Sequence, residues 1–141
     1  MLRKVYRILI GPYTVFLLYL MLFGFGRFQY DENIVRMNPL VSTVDFAKSS
    51  FLWNRHEHFY INVFGNILMF VPFGFLGWLH PKYRKFPTLI FSFLSALIIV
   101  EAVQYFSRMG IFDVDDFLLN TLGVALGFYV FRKLNYEREA S

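Results

Sequence analysis

Apolar residues along the chain gather into four long runs, and charge returns between them. The first extends from about Ile8 to Phe25 and the second from Phe59 to Leu79. The third covers about Pro87 to Phe106, and the fourth about Phe117 to Phe131. A helix advances about 1.5 Å per residue and needs about 20 apolar residues to cross a hydrocarbon core. The pattern therefore predicts an all-α integral membrane bundle of about four transmembrane helices. The fourth run is the shortest, so its helix is expected to start within the headgroup region. Arg3, Lys4 and Arg7 ahead of the first run imitate a signal peptide. That run exceeds the usual apolar region of about 7–15 residues, and no small-residue cleavage site follows Phe25, so it reads as a retained anchor.

The connection between the first two runs is long, and the other two are short, which makes the last three helices consecutive antiparallel neighbours. In the long connection Asn38-Pro39 marks a turn. Ser42 is expected to cap a short helix whose positive end Asp45 favours. Phe46, Phe51 and Trp53 would let that helix lie in the interface rather than cross it. Basic residues then set the orientation. With the N-terminus inside, nine are inside (Arg3, Lys4, Arg7, Lys82, Arg84, Lys85, Arg132, Lys133, Arg138) and five outside (Arg27, Arg36, Lys48, Arg55, Arg108). The positive-inside rule favours both termini in the cytoplasm and the long connection outside.

Composition agrees. Of 141 residues, 57% are hydrophobic and only 17% charged, against about a quarter charged in soluble domains. The chain reads as one domain, 1–141, with the bilayer as its principal partner. A net charge of +4 carried at chain ends and in one connection excludes nucleic acid, which calls for a basic stripe interleaved with aromatics. Absence of cysteine excludes disulfides and thiolate metal sites.

Polar residues inside the runs are not scattered. Asn62 and Asn66 share a face of the second helix; Glu101, Gln104 and Arg108 share one on the third; Asp116 and Asn120 share one on the fourth. Spacings of three and four place each set on one side of its helix, and all three sets fall at a similar depth under the outer surface. A carboxylate at the bilayer centre costs about 2.5–3.5 kcal/mol on insertion scales. Glu101 must therefore face other helices or a wet cavity. Arg108 reaches it only if the helix bends. Asp113, Asp115 and Asp116 lie close by in sequence, and Asp116, one turn before Asn120, is the one expected to point inward. Such a group of acids can share protons, act in acid/base chemistry or hold Ca²⁺ or Mg²⁺ rather than zinc; the spacing does not choose among these and assigns no cofactor. His56-Glu57-His58 does not have the helical zinc spacing of four and reads as an interfacial loop. Pro72 is expected to kink the second helix, with Gly74 and Gly77 allowing close approach. Gly123-x-x-x-Gly127 is a small-residue packing pattern, for the bundle or for a dimer.

Asn62-x-x-x-Asn66-x-x-x-Phe70-x-Pro72-x-Gly74, then Glu101-x-x-Gln104, then Asp113-x-Asp115-Asp116-x-x-x-Asn120-x-x-Gly123-x-x-x-Gly127 resembles the VanZ-like family of bacterial membrane proteins. The match covers roughly Tyr60 to Phe131, and Asn38-Pro39 adds to it, although the Pro-Phe pair usual there is absent. The resemblance implies a cell-envelope role, since the founding member is associated with low-level antibiotic resistance to teicoplanin, a lipoglycopeptide that acts on lipid-linked wall precursors. Two functions follow. In one, an enzyme acts on a lipid-linked or cell-wall intermediate, with Glu101 as acid or base and Asp116 and Asp113 binding a cation or orienting substrate. Asn62, Asn66, Gln104, Arg108, Asp115 and Asn120 then position it. In the other, a non-catalytic module grips a precursor headgroup, a glycopeptide or a partner protein with the same groups. A purely structural cluster that fixes helix register is the third option.

Overall fold

A computed structural model describes residues 1–24, 31–53 and 56–139, and the side chains of these except Ser42, His58 and residues 137–139. Phe25, where the first helix was expected to end, and Arg27 and Arg55 of the outer count lie outside the described residues. The elements are α1 (Leu2–Phe23), β1 (Val35–Arg36), α2 (Val41–Leu52), α3 (His56–Phe70), α4 (Phe86–Phe106), β2 (Phe112–Asp113) and α5 (Val114–Glu139). Two 3₁₀ segments, Val71–Trp78 and Pro81–Arg84, join α3 to α4. Four stretches are long and apolar enough to cross a membrane: Leu2–Phe23, Phe59–Trp78, Phe86–Phe106 and Val114–Tyr136. Large apolar side chains point outward all along them, among them Val15, Leu68, Phe91 and Ile99, each more than 60% exposed. In water such a surface would aggregate; facing lipid it is what keeps the helices in place.

Several expectations are corrected. The fourth apolar run forms the longest helix, not the shortest, because α5 continues past Phe131 through polar residues that hydropathy does not count. Pro72 does more than kink its helix. With no N–H to donate and a ring that crowds the preceding turn, it sits at the start of a 3₁₀ segment eight residues long. The His56-Glu57-His58 stretch is the first turn of α3, not a loop.

Carbonyls released by that change of helix are collected by α1. Tyr13 donates its hydroxyl to Met69 O (2.6 Å) and Tyr6 donates to Pro72 O (2.9 Å). Arg3 and Arg7 donate to Trp78 O at 3.2–3.3 Å. A backbone group left unpaired in lipid costs several kcal/mol, so a break within a span needs such partners.

The last turn of α3 and the 3₁₀ segment that follows it pack on α5 through glycines. A Cβ on Gly123 would collide with Ile67 O, one on Gly127 with Val71 O, and one on Gly74 with the backbone at Gly127 and Phe128. Backbone therefore meets backbone along this seam, and the small-residue pattern works within the bundle. Around it lies the apolar core of Leu17, Phe70, Trp78, Leu89, Val124, Phe128 and Phe131.

Candidate functional site

The C-terminal end of α1, the N-terminal part of α3, the C-terminal end of α4 and the start of α5 come together at one end of the bundle. Three polar side chains there are each 2% exposed: Glu101 and Gln104 on α4 and Asn120 on α5. Their spacing explains the first two, which lie one turn apart on the α4 face turned to the bundle. Gln104 Nε2 donates to Met21 O and so ties α4 to the last turns of α1. Asn66 of α3 donates to Asp116 Oδ1 of α5 at 3.3 Å. Asn120 Oδ1 and Thr121 Oγ1 are buried and accept no hydrogen bond among the described residues.

The three acids at the start of α5 divide their work. Asp113 lies on β2, which pairs in parallel with β1 in the register Val35 to Phe112 and Arg36 to Asp113. Its Oδ1 accepts from the Asp115 amide at 2.9 Å, a capping interaction for α5, and its Oδ2 lies 3.8 Å from Arg36. Asp115 reaches across to α2. Its Oδ1 accepts from the Leu40 amide, and its Oδ2 accepts from the Thr43 amide (2.8 Å) and the Thr43 hydroxyl (2.7 Å). Leu40 is the N-cap residue of α2, and it supplies no side-chain acceptor. One distant carboxylate thus takes the amides at the N-cap and third helical positions, as a capping box does from within a chain. The helix dipole adds to the attraction.

These contacts revise the sequence reading. The cap on α2 comes from Asp115, while Ser42 falls inside the first turn. Asp113 and Asp115 are the buried acids, at 8% and 4% exposure, whereas Asp116 is only partly buried. Asp116 does face α3, where it accepts from Asn66, while Asp115 in the first turn of α5 is directed to α2. Asn62 shares the face of α3 that carries Asn66 but lies one turn nearer the helix start, where it is exposed. Arg108 has left the helix: α4 ends at Phe106, and Arg108 takes a left-handed conformation (φ 57°) with an exposed side chain. The amides of Arg108 and Met109 bond back to Tyr105 O and Gln104 O, a C-terminal cap in which glycine is the usual left-handed residue. Thr43, Leu40 and Arg36 were not foreseen as partners of the acids. They come from a separate part of the chain, and only a β1–β2 pairing signal could have linked them; two residues carry none.

Among the described residues no group of three or more His, Asp or Glu side chains is arranged to hold a metal ion. An open groove of about 620 Å³ lies against the polar end, between β1 and one face of α2.

Comparison with known proteins matches this arrangement to one family. The sequence model described as VanZ/LLP1 matches residues 12–135. Protein VanZ of Enterococcus faecium is 26% identical over 126 residues, covering 84% of this chain and 68% of its own length. No solved structure matches. The four apolar spans make the chain a membrane protein, and by the extent of the match it belongs to the VanZ/LLP1 family.

Proposed function

We propose that the chain is a non-catalytic binding module of the bacterial cytoplasmic membrane, with both termini inside, which gives low-level protection against teicoplanin. It does so by gripping a lipid-linked wall precursor headgroup or the glycopeptide itself at the outer leaflet. One observation carries the reading: Asp115, the most enclosed of the three acids at the start of α5, spends its carboxylate on the start of α2. Asp113 likewise caps α5 and faces Arg36. Acids engaged in this way build and hold a surface rather than exchange protons with a substrate.

The second reading, an enzyme acting on a wall intermediate, draws on Glu101. An ionisable residue 2% exposed in a membrane-spanning helix is a functional candidate by default, with Asp116 and Asp113 as its helpers. Teicoplanin and vancomycin susceptibility of a sensitive Gram-positive host, measured at matched membrane levels, separates the two. The binding reading expects Glu101→Gln to keep most of the teicoplanin protection, because the amide fills the same space. Complete loss in a folded Glu101→Gln variant would transfer the case to catalysis. No protection by the intact chain would remove the link to teicoplanin.

A further inference from the structure

The groove beside β1 combines chemistry of several kinds. Its lining is half polar and half apolar: Arg36, Asn38, Asp45 and Ser49, with Val35, Met37, Val41 and Phe46 as apolar surface. Val41, Asp45 and Ser49 are four apart, so they form one stripe of α2, and β1 supplies Arg36 from the opposite side. The groove is open and its lining residues are all exposed, which suits a segment laid across the surface rather than an enclosed small molecule. The Asp115 and Asp113 contacts fix both walls, one by holding the start of α2 and the other by facing Arg36.

Charge selects the ligand class. Arg36 and Asp45 give the lining one charge of each sign. A pyrophosphate or another polyanion would meet Asp45 as a repulsive neighbour, and a bare acyl chain would leave Asn38, Ser49 and both charges without partners as it displaced their water. A ligand with one carboxylate, one ammonium and amides between them answers each group. Asn38 and Ser49 offer a donor and an acceptor apiece, and Val41 and Phe46 offer surface for short apolar side chains. Among the described residues β1 pairs only with β2, and the other edge of this two-residue strand can offer a short backbone contact to an extended peptide.

We infer that the groove between β1 and α2 binds a short zwitterionic peptide segment, its carboxylate at Arg36 and its ammonium at Asp45. The inference rests on the binding reading above and names the ligand chemistry of that module. In this placement Arg36 faces two carboxylates, that of Asp113 and that of the ligand, and its five N–H donors are enough for both. Lys48, 3.8 Å from Asp45, is the side chain that the ligand ammonium displaces.

The test uses the full chain in nanodiscs of neutral lipid, titrated calorimetrically with a lysine-containing pentapeptide that has a blocked N-terminus and a free C-terminus. Saturable binding is expected. Amidating the C-terminus or acetylating the lysine should each weaken it about tenfold, a difference of about 1.4 kcal/mol. Arg36→Gln should then bind the free and amidated peptides alike, and Asp45→Asn the lysine and acetyl-lysine peptides alike. Arg36→Lys keeps the charge and should still discriminate, which guards against misfolding of Arg36→Gln. Asp45 has an exposed side chain (67%), so its substitution leaves the fold undisturbed. Binding indifferent to both modifications, or preference for inorganic pyrophosphate over the peptide, would overturn the inference. Absence of peptide binding by a chain that still protects cells, with Glu101→Gln also protective, would overturn it while the binding-module reading stood. Loss of protection in Glu101→Gln would strike that reading instead.

Discussion

Asp115 accepts hydrogen bonds from three donors on a segment more than seventy positions earlier in the chain. A hydrogen bond to a charged group contributes about 1.5–3 kcal/mol, so Asp115→Ala should destabilise the protein by at least that much and free α2. Amide exchange at Leu40 and Thr43 measures this directly, and unchanged protection there would mean that the cap is not what secures α2. Asp115→Asn, which keeps one oxygen acceptor, should fall between. Arg108 offers the opposite test. A non-glycine residue in the left-handed region is strained by about 1–2 kcal/mol. Arg108→Gly should therefore raise stability by about 1 kcal/mol, after the entropy that glycine adds to the unfolded chain is subtracted. A fall in stability would show that the exposed guanidinium makes a contact worth more than the strain. Spacing alone put Arg108 on the Glu101 face, and it failed there because the helix ends at Phe106, two residues earlier. Glu101, Gln104 and Asn120 were legible because an apolar run makes every buried polar group stand out. The partners of Asp113 and Asp115 were not, since their contacts depend on a tertiary docking that no local pattern encodes.

At the scale of elements, the seam that α5 forms with the end of α3 and the 3₁₀ segment combines two devices that the sequence showed only separately. Pro72 and Gly123-x-x-x-Gly127 were each visible as patterns. Their meeting was not, because hydropathy carries no information about which helix faces which. With Val71 O against Gly127 and Ile67 O against Gly123, a side chain at either glycine must push backbone apart. Gly127→Leu should cost about 1–3 kcal/mol or more, the usual range for overpacking, read as a lower midpoint in detergent unfolding. A midpoint equal to the parent's would mean that the seam opens without penalty. Tyr13→Phe tests the companion device, since it removes the donor to Met69 O and nothing else. Interhelical hydrogen bonds in membranes measure about 0.6–2 kcal/mol, and a loss in that range is expected. The aromatic ring stays in place, so a larger loss would indicate that the 3₁₀ segment unravels once a carbonyl is left unpaired. Both variants act far from the groove and should leave peptide affinity unchanged in whatever fraction remains folded.

For the whole molecule, four stretches among the described residues are long and apolar enough to cross a membrane, but apolarity does not say which way the chain faces. Direction comes from charge. Lys82, Arg84 and Lys85 cluster in the connection before α4, with Arg132 and Lys133 near the same end of α5, while most acids lie toward the end that carries the groove. In the proposed orientation, which follows the positive-inside rule, the first group is cytoplasmic and the proposed binding site opens outward, toward wall precursors. The chain has no cysteine, so a single introduced thiol reports its own side. Lys48 lies on α2 with its side chain 69% exposed, and Lys82 is exposed in the Pro81–Arg84 turn. Lys48→Cys should react with a membrane-impermeant maleimide on intact cells, and Lys82→Cys only after permeabilisation. The reverse pattern would place the groove in the cytoplasm, where neither an externally acting glycopeptide nor an exported precursor could reach it, and the binding proposal would fall with the orientation. Labelling of Lys48→Cys that a saturating lysine-containing pentapeptide slows would join the two claims, because this lysine stands beside Asp45 on the lip of the groove.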